Sequence, residues 1–295
     1  MSENDFINIK NRALSIVVGV FLLYLSHWRD ASISRHFEQA EFMKNVVFSL
    51  NTWAAMVCVA MAGMWLSNAS VAGVIKFGSG GNTFEMTFVP IGNANNADDT
   101  TGNPSVAGKV EYAYQMGKYE VSEDMITKYN AEFGSANGLV ITKDTRGTNK
   151  PATSVSWNEA ARFVNWLNTS KGFQAAYNFT SGGVNDNIAL WNVGDGFALG
   201  GSSENLFRHK DAHFWLPSLD EWYKAAYYDP TANGGLGAYF NYPNGSDTAP
   251  MAVTSGMDPN TAVFNQDIAQ GPADVMSAGG LSPYGIMGLG GNAFE

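Results

Sequence analysis

The spacing of histidines, carboxylates and cysteine sets the first limits on what chemistry this chain can do. His209 and His213 stand four residues apart, a spacing that binds a metal when both lie on one helix face. No third ligand accompanies them: Asp211 points elsewhere on such a helix, and the segment runs into the strand-like Phe214-Trp215-Leu216. They read as structural or surface histidines. Asp98-Asp99 and Asp186 sit in Asn- and Gly-rich loops, which is ordinary turn chemistry, although such loops also chelate calcium. Glu159 and Glu221 look like acid–base candidates, but each follows a serine by three residues at a helix start, and a capping box accounts for both. The single cysteine, Cys58, lies in an apolar stretch; without a lipobox around it, a small apolar filler is preferred over a lipidation or redox site. One cysteine also excludes an internal disulfide framework. A Gly-x-Ser-x-Gly elbow, a Walker loop and a Gly-x-Gly-x-x-Gly after a strand are all absent from the sequence.

Composition narrows the classes further. The 295 residues are 45% hydrophobic and only 15% charged, with 32 glycines. That is enough apolar material for a core and too little charge for intrinsic disorder. The mixture suits a loop-rich fold pinned by buried Trp, Tyr and Phe. A net charge of −10, with no Lys/Arg run, argues against nucleic-acid partners and against an anionic membrane surface.

The elements that must position any site are read from periodicity and caps. Phe84 to Ile91 and Lys109 to Tyr119 alternate as strands, joined by a long Asn/Gly/Asp loop, and pair as an extended hairpin. Ser122 caps a helix with Glu123 and Asp124 in its first turn, an apolar face of Met125, Ile126, Tyr129 and Phe133, and a stop at Gly134. Ser156 to Glu159 and Ser218 to Glu221 are capping boxes that open two more helices, the second ending before Pro230. Much of the remainder, notably 181–205 and 229–280, is loop. The fold class is therefore α+β.

The first 72 residues concern address. Ala13 to Leu25 is apolar but short of the ~20 residues a membrane span needs. Met43-Lys44, the apolar Trp53–Leu66 and the small residues before Ala69 and Ala72 make a coherent signal peptide over 43–72. Residues 1–42 are then an upstream extension; the alternative is a membrane anchor of two helices that retains both apolar segments. The address is secreted, periplasmic or cell-surface, with membrane contact only through these N-terminal segments. The Gly-rich 73–83 reads as a linker to a domain over 84–295.

Within that domain a series of anchors falls in order: Gly117-Lys118-Tyr119-Glu120-Val121, Pro151 with Val155-Ser156-Trp157, Ala160-Ala161-Arg162-Phe163, Asn165-Trp166-Leu167, Trp215-Leu216-Pro217-Ser218 with Glu221-Trp222, Lys224 to Pro230, Tyr284-Gly285, and Gly291-Asn292-Ala293-Phe294-Glu295. This series resembles the formylglycine-generating, sulfatase-modifying factor family in its exported bacterial form. The resemblance implies a variant of the C-type lectin-like fold and, in active members, oxidation of a sulfatase cysteine to formylglycine. Those members use a late pair of cysteines that bind copper, and no cysteine occurs between Thr83 and Glu295. A thiolate is both copper ligand and redox group, so nothing else here replaces it. The expectation is a truncated or degenerate member. The stop on an apolar-aromatic stretch favours truncation, and copper enters only with cysteines beyond Glu295. The resemblance also implies a calcium site from the Gly291 and Ala293 carbonyls and the Glu295 carboxylate, weakened by Gly288 standing where an Asn ligand is expected. The competing reading is a tight glycine turn closing the core. Two functions stay open: a non-catalytic scaffold that holds a protein, peptide or glycan ligand, or a formylglycine-generating oxidase completed by further sequence.

Overall fold

Alternation in Phe84–Ile91 produces the central strand of a three-stranded antiparallel sheet in the computed structural model, which describes residues 72–180, 188–199 and 203–293. Strand β1 (Gly73–Phe77) pairs with β2 (Phe84–Ile91), which pairs with β3 (Tyr114–Gly117), in the order β1-β2-β3. The segment read from sequence as a linker is thus an edge strand followed by a 3-10 turn at Gly80–Asn82. Ile75 and Phe77 turn inward while Val74 and Lys76 face solvent, so the short strand obeys a period of two that its flanking glycines obscure. Strand β3 is shorter than the alternation over 109–119 implies. The Val110 backbone is taken by the preceding loop instead: its N–H donates to Asn96 Oδ1 at 3.2 Å and its carbonyl accepts from Asn95 at 2.9 Å.

All three serine-capped helices form. Helix α1 (Glu123–Tyr129) starts at Ser122, whose hydroxyl accepts from the Met125 N–H at 3.4 Å. It does not stop at Gly134. The chain continues through a π turn (Asn130–Gly134) and Ser135–Asn137, and ends at Gly138 in the left-handed region, φ 68°. Asn130 explains the detour, because its side chain holds both the N–H and the carbonyl of Ile141, at 2.8 and 2.9 Å. A Cβ at Gly134 would lie 2.8 Å from Asn130 Oδ1, so glycine is needed there for close approach rather than termination. Helices α2 (Trp157–Thr169) and α3 (Leu219–Tyr227) carry complete capping boxes, with Ser156 N to Glu159 Oε2 at 2.8 Å and Ser218 N to Glu221 Oε2 at 2.7 Å.

The pleat of β2 divides the core. Phe84, with Met86 and Phe88, packs toward Phe77, Tyr129, Phe163 and Trp166; Val89 and Ile91 pack toward Tyr114, Ala225, Ala226 and Ile286. The first cluster is ring on ring, with Tyr129–Trp166 at 5.4 Å and Phe84–Phe163 at 6.2 Å between centroids. Around this frame lie two-residue ladders: β4 (Asn178–Phe179) with β5 (Ile188–Ala189), β6 (Gly196–Phe197) with β7 (Asn205–His209), β8 (Tyr228–Asp229) with β9 (Ala238–Tyr239), and a parallel pair, β10 (Met251–Ala252) with β11 (Thr261–Ala262). Small helices, short strands and ordered loops make it α+β.

Candidate functional site

The pleat that sends Ile75, Met86 and Phe88 to one face of the sheet also builds one wall of an apolar groove of about 740 Å³. Gln115, Met116 and Gly117 of β3 form its edge. Trp157, Ala160 and Val164 of α2 line it too, as do Phe173, Phe214, Ile286 and Leu289. Glu120, Glu221 and His213 are in the lining, and among the described residues neither lysine nor arginine is. Trp157 remains 50% exposed at the rim, so the groove is open to a ligand.

Two polar residues that sequence reasoning left out position the groove. Asn168, fully buried in α2, accepts from the backbone N–H groups of His213 and Phe214 at 2.9 and 3.0 Å, and donates to the Phe214 carbonyl at 2.8 Å. It clamps the extended segment 213–217 to the helix. Arg208, buried in β7, donates to Glu221 Oε1 at 3.2 Å while its guanidinium lies over Phe197 at 3.4 Å and Trp215 at 4.6 Å. Capping accounts for Glu221 only in part. Oε2 caps the helix, whereas Oε1 also accepts from Tyr112 Oη at 2.6 Å and Trp215 Nε1 at 3.0 Å. Burial first, then the Glu221 hydrogen bond and charge, push the Tyr112 phenol up to about 12, with Arg208 opposing. Glu221 lies in the wall of the groove and of a second cavity of about 250 Å³ beside Phe197 and Arg208. Its bonds hold it as a strut. Glu159 is likewise shared, since Oε1 accepts from the Thr142 N–H at 3.0 Å.

The histidines do not converge. His209 is in β7, edge-on to Trp191 at 4.7 Å, with Nδ1 accepting from the Asp211 N–H; His213 lies flat on Phe173 at 3.7 Å. Asp99 does turn chemistry, accepting from Thr101 N–H at 2.8 Å and Tyr223 Oη at 2.8 Å. Burial acts to raise its carboxyl, yet the bonds from Thr101, Tyr223 and Gly102 hold it below the usual range. Asp186 lies outside the described residues. Trp191 Nε1 and Tyr239 Oη donate to the Ala176 and Gly108 carbonyls at 3.0 and 2.7 Å.

With this arrangement in view, comparison with known proteins decides the family. The model of the sulfatase-modifying factor enzyme 1-like domain matches residues 74–295. The chain belongs to this family. No curated protein matches it. Among solved structures, Treponema denticola variable protein 1 is similar, at 19% identity and a TM-score of 0.45, covering 76% of this chain and 74% of that one.

The sulfatase-modifying-factor match begins inside β1, which places that strand within the domain. At its other end Gly291 donates to the Gly288 carbonyl at 3.0 Å, and a Cβ there would sit 2.2 Å from the Val263 carbonyl oxygen. This is a glycine turn. Asn292, at φ 72°, locks it by donating to Glu120 Oε2 at 2.6 Å, accepting from Ala273 N–H at 2.7 Å and giving its own N–H to Val263. Of the three calcium ligands the resemblance implies, Glu295 lies outside the described residues and the Gly291 carbonyl already accepts from Ala293 N–H at 3.0 Å. Among the described residues no group of three His, Cys, Asp or Glu side chains gathers.

Lys224, which opens one of the sequence anchors, is a further buried group. Fully buried in α3, it donates Nζ to the Asn93 carbonyl at 2.9 Å, and burial lowers it to about 8 from the ordinary 10.5. Between those values the unfolded chain keeps a proton that the folded chain has released, so stability rises with pH. Above about pH 10 the raised tyrosines reverse the trend, because the unfolded chain then loses protons that Tyr112 and Tyr223 retain. The melting temperature is expected to rise from about pH 7 to about pH 9.5 relative to Lys224→Met. Parallel curves for the two proteins would refute the assignment.

Proposed function

We propose that this chain is an exported, non-catalytic binding domain of the sulfatase-modifying-factor family, a variant of the C-type lectin-like fold whose groove holds a peptide segment of another protein. The carrying observation is that Cys58, the only cysteine, precedes the family domain at 74–295. Copper-dependent oxidation of a cysteine needs a thiolate to hold the metal, and residues 74–295 offer none. What the domain does offer is apolar space with an exposed tryptophan at its rim, a form suited to holding a ligand. The segment 43–72 provides the export signal.

Trp157, Trp215 and Trp222 line the groove, so occupancy changes their emission. Titration of the chain with a Val-Lys-Val-Lys-Val peptide is expected to give a saturable fluorescence change, reduced by Trp157→Ala. A change that never saturates, or one unaltered by that substitution, would count against the groove as the binding site.

A further inference from the structure

We propose that Met251, Met257 and Met276 form a reversible oxidation site, where hydroperoxides convert exposed thioethers to sulfoxides while the buried Met287 beside them stays reduced. The inference is independent of the groove and of what the groove binds. The three side chains are 66%, 66% and 57% exposed, whereas Met287 is 3% exposed. A single exposed apolar residue needs no explanation, but these three flank one small backbone network. Met251 opens β10, which pairs in parallel with β11 at Thr261. Ala262 of β11 bridges to Gly279, and Gly256 bridges to Ala278. Gly256 donates its N–H to the Ser277 carbonyl at 2.8 Å and accepts from the Gly279 N–H at 2.9 Å. Met257 follows Gly256 and Met276 precedes Ser277, so this bridge sets both on neighbouring segments. Within the same network lies Met287, whose Sδ accepts from the Ala278 N–H at 3.2 Å.

The chemistry separates the two kinds of sulfur. A thioether lone pair attacks an oxygen of the hydroperoxide; the S–O bond forms as the O–O bond breaks, and water or an alcohol leaves with the proton. The sulfur loses two electrons and the peroxide gains them, which closes the balance. An exposed sulfur meets the oxidant directly. The Met287 sulfur is enclosed and already accepts a hydrogen bond, so attack there waits for the segment to open. The product is polar and chiral, where the thioether was flexible and apolar. At three exposed positions that change disturbs no packed core. At Met287 it would force an added oxygen into close-packed surroundings.

The test treats the full chain with hydrogen peroxide and follows the sulfoxide at each methionine over time, by mass spectrometry of proteolytic peptides. Oxidation of Met251, Met257 and Met276 is expected to run at least about tenfold faster than that of Met287. The melting temperature is expected to stay unchanged while only these three have reacted. Methionine sulfoxide reductases specific for each epimer are together expected to return all three to their starting mass. Met287 oxidised as fast as the others would overturn the assignment. So would rates at the three no higher than at the half-buried Met86, Met116 and Met125. A melting temperature that falls as the three react would contradict a modification confined to the surface. Sulfoxides that the reductases leave in place would contradict its reversibility.

Discussion

Replacing Glu221 by alanine is expected to destabilise the fold by roughly 3–5 kcal/mol, the range for breaking a buried ion pair from one side. The side chain is 1% exposed and receives bonds from Arg208, Tyr112, Trp215 and the Ser218 N–H. Truncation leaves the Arg208 guanidinium charged between aromatic rings with no counter-ion, and also uncaps α3. Glu221→Gln keeps the shape and one acceptor but loses the charge, so its effect is expected to fall between alanine and wild type. Urea denaturation measures both. A loss near 1 kcal/mol for the alanine variant, the value of a cap alone, would mean that the Arg208 pairing contributes nothing.

Asn168→Ala is the second large effect expected, about 3 kcal/mol or more. The substitution leaves the His213 and Phe214 N–H groups and the Phe214 carbonyl without their partner in a part-buried site. Each such group costs about 1–3 kcal/mol. Because the freed segment 213–217 walls the groove, peptide affinity is expected to fall even where the variant remains folded. Asn168→Asp retains the acceptor and loses the donor, so it is expected to recover part of the stability. If alanine leaves both stability and peptide binding unchanged, segment 213–217 is held by other means.

The contrast between these two residues and the caps shows what a sequence of this kind discloses. Ser122, Ser156 and Ser218 announce their helices because a cap is a local contract, made within three or four residues. Phe84–Ile91 announces its strand by period two for the same reason. Arg208 and Glu221 are 13 positions apart, and Asn168 reaches across 45 and 46 to its partners. Nothing in a local window signals such bonds. The one local hint at Glu221 is its capping role, which accounts for Oε2 and not for Oε1. Glycine misled in two opposite directions. Glycines flanking Val74–Phe77 read as a linker although they bound a strand, and Gly134 read as a stop although it serves close packing against Asn130. At Gly288 and Gly291 the tight-turn reading describes the observed backbone. The groove itself was not legible, since its walls come from β1, β2, β3, α2 and the 213–217 segment together.

The proposed function is that of a family domain that binds a peptide without the family's thiol chemistry. The most direct measurement is the mass of a cysteine-containing sulfatase peptide after incubation with the full chain, copper and dioxygen. An unchanged peptide that still carries its thiol is expected. Conversion of that cysteine to formylglycine would contradict it.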